Sequence, residues 1–192
     1  SQKVGLGFYK SPGMEARYPD VFFSQFTGAE EIARKWELGR EAMDEFSFQS
    51  HLKARAATEA GRFDAEIIAV EKRLHDGAVP DDMATRDEGI RYDVSLEAVS
   101  QVRLLTEGGR LTAASASQIC DGAAGVMVVN ERGLKALGVE PLARIHHLSV
   151  TGGNPVVMLE TPIAATERAL KLAGMTIDDI DLFEVNEAFA SI

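Results

Sequence analysis

Between Leu142 and Val185 the chain runs from an apolar stretch through a helix-periodic one to a second apolar stretch. That order predicts a βαβ unit, which a chain of L-residues closes with a right-handed crossover. Leu142 to Val150 reads as the first strand, turning at Gly152-Gly153-Asn154-Pro155. Thr161 reads as the N-cap of a helix with Pro162 at its first position. Ala165, Ala169, Leu172 and Ala173 would be its buried stripe and Gly174 its stop. Leu182, Phe183 and Val185 then form a short buried strand running into Asn186-Glu187-Ala188-Phe189-Ala190. Polar residues at the carboxyl end of such a strand are where α/β folds place their chemistry, which singles out Asn186. By residue type alone, the first reading of Asn186 is a helix cap.

The rest of the chain is punctuated by glycine. Ser1 to Pro19 lacks a sustained period and reads as an irregular lead-in. Gly28 to Leu38 predicts a helix with Ala29, Ile32, Ala33 and Trp36 on its core face and Gly39 as its C-cap. Arg40 to Ala60 predicts a second helix, Met43 and Phe46 on one side and Gly61 after it, the pair making an αα-hairpin. Glu66 to Val70 reads as a strand, Glu71 to Tyr92 as a charged surface excursion, and Ser95 to Leu105 as a short helix ended by Glu107-Gly108-Gly109. Asp121 to Val129 has the length and branched side chains of a buried strand, and Glu131 to Leu137 is a short helix stopped by Gly138.

Charge and cysteine content narrow the function. Thirty acidic and 20 basic residues give a formal charge of −10, which opposes binding to nucleic-acid phosphates. No apolar run approaches the ~18 residues that cross a bilayer, so a soluble chain without membrane insertion or secretory signal is expected. Cys120 is the only cysteine, which suits a reducing compartment and predicts a cytoplasmic protein. Asp121 beside it opposes thiolate formation, so Cys120 reads as a buried or half-buried packing thiol. Asp76, Asp81, Asp82, Asp87 and Glu88 lack a metal-ligand spacing and read as a solvated loop. His146 and His147 would point to opposite faces of a strand and cannot form one site.

The run Leu111-Thr112-Ala113-Ala114-Ser115-Ala116-Ser117 has little packing volume. Either another backbone comes close there or room is left for a ligand. This run with Asp121-Gly122-Ala123-Ala124, then Met158 with Thr161-Pro162-Ile163-Ala164, then Asn186-Glu187-Ala188-Phe189-Ala190, resembles the thiolase family in order and spacing. The resemblance covers essentially the whole chain, weakly before Gly109 and strongly from Arg110 onward. It implies an α/β fold, a partial thiolase-like one: residues 1–109 as the loop domain, 110–140 as the last strand and helix of the N-terminal half, and 141–192 as the start of the C-terminal half. A complete thiolase packs two βαβαβαββ halves back to back.

The resemblance also implies an acyltransferase that cleaves 3-ketoacyl-CoA thiolytically, or condenses acetyl-CoA in reverse, through a cysteine acyl-enzyme. The expected ligands are acyl-CoA and coenzyme A, with no further cofactor and no metal, in a homodimer or homotetramer of fatty-acid or sterol side-chain degradation or of acetoacetyl-CoA formation. Asn186 matches the asparagine that fixes a water of an oxyanion hole. Ala113, Ala116 and Ser117 match positions lining the pantetheine tunnel, and Met158, Ala188 and Phe189 match positions near the acyl and pantetheine end. The nucleophilic cysteine, the His-Pro-x-Gly histidine and the Cys-x-Gly-Gly-Gly cysteine have no counterpart in these 192 residues. The chain is therefore expected to be an inactive internal portion of an enzyme about twice as long. The alternative is a non-catalytic acyl-CoA-binding or subunit-interaction fragment. Two departures stand out. Gln25-Phe26-Thr27-Gly28 replaces the usual Met-Gly segment, and Gln101-Val102-Arg103-Leu104 replaces Leu-Arg-Pro, which leaves Arg103 one place displaced as a coenzyme A contact.

Overall fold

The computed structural model describes residues 9–192. Six α-helices, two short strands and two 3-10 turns are found among them, divided between two compact units. Among the described residues, one unit comprises 9–36 with Ile145–Glu184 and Ile192; the other comprises Glu37–Arg144 and Val185–Ser191.

In the first unit, α1 (Pro12–Arg17) lies where the sequence predicts an irregular lead-in; residues 1–8 of that segment fall outside the described residues. Ser11 starts the helix by accepting the Met14 N–H at 3.2 Å, and Pro12 supplies a preset φ. Helix α2 (Gln25–Lys35) starts three residues earlier than predicted because Ser24 caps it. It also stops earlier, so Trp36 is its C-cap and is exposed rather than in the core, with Lys35 Nζ 5.5 Å from its ring. Ala29, Ile32 and Ala33 are buried as expected.

Gly28 explains why a glycine interrupts this helix: a Cβ there would sit 2.5 Å from the Val157 carbonyl oxygen. Backbone cannot yield as a flexible side chain can, so Gly28→Ala should destabilise the protein by about 1–3 kcal/mol in urea unfolding.

Helix α6 (Thr161–Ala173) begins one residue before the predicted start. Glu160 is its N-cap, while Thr161 is helical and donates its hydroxyl to Met158 O at 3.0 Å. Gly174 closes it at φ 68°, the left-handed conformation glycine adopts without strain. Its supposed stripe is not buried: Ala165, Ala169 and Ala173 are half-covered and Leu172 is exposed.

The second unit is built on α3 (Arg40–Glu59), whose N-cap is Gly39; this glycine opens α3 instead of ending α2. Met43 is buried, and Asp44 and Ser47 go under with it. Arginines hold the following loop to neighbouring backbone. Arg40 donates to Ser100 O and Val102 O, both at 2.6 Å, Arg55 to Tyr92 O at 2.8 Å, and Arg110 to Leu38 O at 3.0 Å.

Of the predicted strand Glu66–Val70 only Val70 is in a strand; Glu66 ends the turns of residues 61–66, and residues 67–69 are irregular. β1 (Val70–Glu71), at the entry to the predicted excursion, pairs antiparallel with β2 (Met83–Ala84) inside it. Helix α4 (Leu96–Ser100), capped by Ser95, is shorter than the predicted Ser95–Leu105 segment. α5 (Glu131–Leu137) has Asn130 as its cap and Gly138 as its left-handed stop.

The predicted buried strands differ most from the structure. Residues 121–129, 142–150 and 182–185 form no ladder among the described residues, and Val126 and Val150 are each 89% exposed. Cys120 is exposed as well. A strand buries its side chains only when neighbours flank it in a sheet, and these runs have none here. No helix of the described residues is long and apolar enough to cross a membrane.

Candidate functional site

Three pieces of the second unit converge on one cavity of about 280 Å³: the α3 face carrying Phe46, Ser47, Ser50 and His51, the 114–118 segment, and the stretch from Asn186 to Ala190. The 114–118 segment is set by a buried capping box. Thr112 N–H donates to Ser115 Oγ at 2.9 Å and Ser115 N–H donates back to Thr112 Oγ1 at 3.3 Å, bending Ala113–Ser115 into a 3-10 turn. Beyond the turn the small residues let a second backbone approach. Ser117 N–H donates to Ala188 O at 2.9 Å, Ala190 N–H donates to Ser115 O at 2.8 Å, and Ala116 bridges Phe189. The Ala/Ser run therefore serves both readings left open by composition, a close backbone approach and a cavity wall.

Asn186 sits on the wall of this cavity, exposed, with no helix starting at it and its side chain in no hydrogen bond among the described residues. The cap expected from residue type is not formed. Its neighbour Glu187 is anchored across the cavity, accepting from Ser50 Oγ at 2.7 Å. His51 Nδ1 accepts the Arg91 backbone N–H at 3.2 Å. Burial pushes the His51 pKa down, the Arg91 charge adds to that, and the Glu187 carboxylate opposes both.

The sequence-derived residues are thus partly gathered. Asn186, Ala116 and Ser117 line the cavity, Ala188 holds Ser117 through its carbonyl, and Phe189 is buried behind it. Ala113 is exposed on the 3-10 turn and does not line the cavity. Arg103 is exposed outside it. Met158 belongs to the other unit, where it adopts φ 44° with its N–H bonded to Asn154 O at 2.8 Å. The sequence reading missed Ser50, His51 and Glu187. Its available signal was helical spacing, since Phe46, Ser47, Ser50 and His51 fall on one face of α3. No cluster of His, Cys, Asp and Glu that could hold a metal occurs among the described residues.

Residues 13–132 match the family model "Thiolase, N-terminal domain" and residues 139–192 match "Thiolase, C-terminal domain". The chain is 50% identical to the steroid 3-ketoacyl-CoA thiolase FadA6 of Mycobacterium tuberculosis over 92% of its own length and 41% of that protein's. Among solved structures, it superposes on the acetyl-CoA acetyltransferase of Bacillus anthracis with a TM-score of 0.82 at 32% identity, covering 90% of this chain and 43% of the other. Human mitochondrial 3-ketoacyl-CoA thiolase in complex with CoA gives a TM-score of 0.79 at 35% identity, over 86% and 40%. The chain thus spans less than half the length of these relatives, and its fold is the corresponding part of theirs.

Proposed function

Because the chain belongs to the thiolase family, we propose that it forms one wall of a thiolase active site, in an enzyme that cleaves 3-ketoacyl-CoA or condenses acetyl-CoA. The observation that carries this reading is the shared cavity of Asn186 and Ser117, with residues 115–117 and 188–190 hydrogen-bonded behind it. Asn186 presents an uncommitted amide, able to fix a water as part of an oxyanion hole. Ser117 and Ala116 border the passage for the pantetheine arm, and Ala188 and Phe189 back it; Ala113, which does not line the cavity, and Met158, which belongs to the other unit, take their places in this proposal from the family resemblance alone. Arg103, exposed and one place displaced from the family's arginine, is the candidate contact for the phosphate or adenine end of coenzyme A. Identity to a steroid 3-ketoacyl-CoA thiolase supports a 3-ketoacyl-CoA as the substrate class.

The covalent relay would come from a cysteine, a His-Pro-x-Gly histidine and a second cysteine that these 192 residues do not contain. Splitting C–C cleavage into two acyl transfers needs that relay. The 192-residue polypeptide alone should therefore show no thiolysis of acetoacetyl-CoA, while the enzyme encoded by the whole gene should turn it over. Turnover by the polypeptide alone, or a gene lacking both motifs, overturns the assignment. We assign residues 1–109 to the loop domain, 110–140 to the end of the N-terminal half and 141–192 to the start of the C-terminal half; the match to the C-terminal family model begins at 139, two residues before the last of these boundaries. Coenzyme A thioesters are the ligands, with no separate cofactor, and a reducing cytoplasm is the setting.

A second reading, a fragment that only binds acyl-CoA or other subunits, draws on the exposed apolar runs at 121–129, 142–150 and 182–185. In the favoured reading these runs pair with further strands of the same enzyme, assembled as a homodimer or homotetramer.

A further inference from the structure

The polar side chains around the cavity can be accounted for one by one. Ser47 donates its hydroxyl to Met43 O, Ser50 donates to Glu187, Ser115 is committed to its capping box, and Gln118 donates to Gly89 O. Three of the side chains lining the cavity that can donate do so to nothing among the described residues: the Asn186 amide, the Ser117 hydroxyl and His51 Nε2. The Arg91 N–H occupies Nδ1 of His51, so the ring is an acceptor there and its single neutral proton resides on Nε2. The ring is held by that bond and by its place on α3, which fixes the donor before any ligand arrives. The carboxylate lining this cavity belongs to Glu187, and it disfavours an anion. A neutral acceptor fits and a phosphate does not.

We propose that His51 is a ligand-binding residue of this cavity, donating its Nε2–H to an amide carbonyl of the pantetheine arm of the acyl-CoA. This rests on the thiolase reading of the site. Loss of one neutral hydrogen bond predicts a rise in KM for the CoA substrate of about 3- to 10-fold with kcat little changed.

Two substitutions in the complete enzyme separate binding from a purely structural role. Glutamine places its amide near the position of Nε2, and asparagine places its amide near Nδ1. His51→Gln should keep KM and the Kd for coenzyme A, measured calorimetrically, within about 2-fold of the wild type. His51→Asn, which can still accept from Arg91 N–H, should show the 3- to 10-fold loss. If instead asparagine binds normally and glutamine does not, His51 only anchors the Arg91 backbone and the proposal is overturned. It is equally overturned if both variants bind like the wild type. If the wild-type enzyme neither thiolyses 3-ketoacyl-CoA nor binds coenzyme A, the functional reading itself fails and takes the inference with it. Thermal unfolding of both variants, expected within a few degrees of the wild type, checks that a changed KM is not lost folding.

Discussion

Replacing Asn186 by alanine in the complete enzyme should lower kcat for thiolysis about 100- to 1,000-fold, the range for removal of one preorganised donor to a developing oxyanion. KM should change little, because a group in the proposed role would act on the transition state more than on the bound substrate. The side chain makes this test clean. It is exposed and in no hydrogen bond among the described residues, so its removal leaves no buried partner stranded. Stability should stay within about 0.5 kcal/mol of the wild type, as for surface substitutions generally. Asn186→Asp is isosteric but puts a carboxylate where negative charge develops, and it should be at least as slow. The measurement is steady-state thiolysis paired with urea unfolding. A fall of less than 10-fold in kcat with the fold intact would remove Asn186 from the catalytic assignment.

Arg40→Ala should cause the largest loss of stability, about 3 kcal/mol, toward the lower end for breaking a buried ion pair by removing one partner. Asp44 is 3% exposed and depends on Arg40 Nε, 3.2 Å from its Oδ2; its other oxygen is buried without a partner. The same guanidinium holds the carbonyls of Ser100 and Val102, so alanine removes three hydrogen bonds at once and strands the buried Asp44 carboxylate. The Arg40 side chain retains 29% exposure, and water reaching it keeps the loss below the fully buried limit. Arg40→Lys keeps the charge but not the planar fork and should recover only part of the loss. Arg62→Ala, at an exposed position, should be near neutral and serves as the control. Urea unfolding of the complete enzyme would decide it. A loss below 1 kcal/mol would mean that solvent already screens the pair.

Helices were the legible part of this fold, because their signals are local. Gly138 and Gly174 stop their helices in the left-handed conformation as their positions imply, and Ala29, Ile32 and Ala33 form the buried face of α2. Boundaries slipped where a cap outweighed apolar spacing, as when Ser24 opened α2 early; at its other end Trp36 became the C-cap and stands outside the core. Strands were legible as apolar runs but not as pairs. Val126, Leu142 and Val150 carry the composition of buried strands and stand exposed, since pairing depends on chain that is distant in sequence.

By itself the sequence determined the family resemblance, the choice of Asn186, and the Ala/Ser run with Ser117, all of them motif properties that survive without coordinates. Only the tertiary structure decided that α3 brings Ser50 and His51 to the same cavity as Asn186, more than 130 positions further along the chain. It likewise set Ala113 and Arg103 off that cavity and Met158 in a different unit. The reason is physical: a side chain's type and local period are written in its neighbours, whereas the partner it meets across a cavity is fixed by hydrogen bonds such as Ser50 to Glu187 and Ser117 to Ala188, which join segments with no local relation.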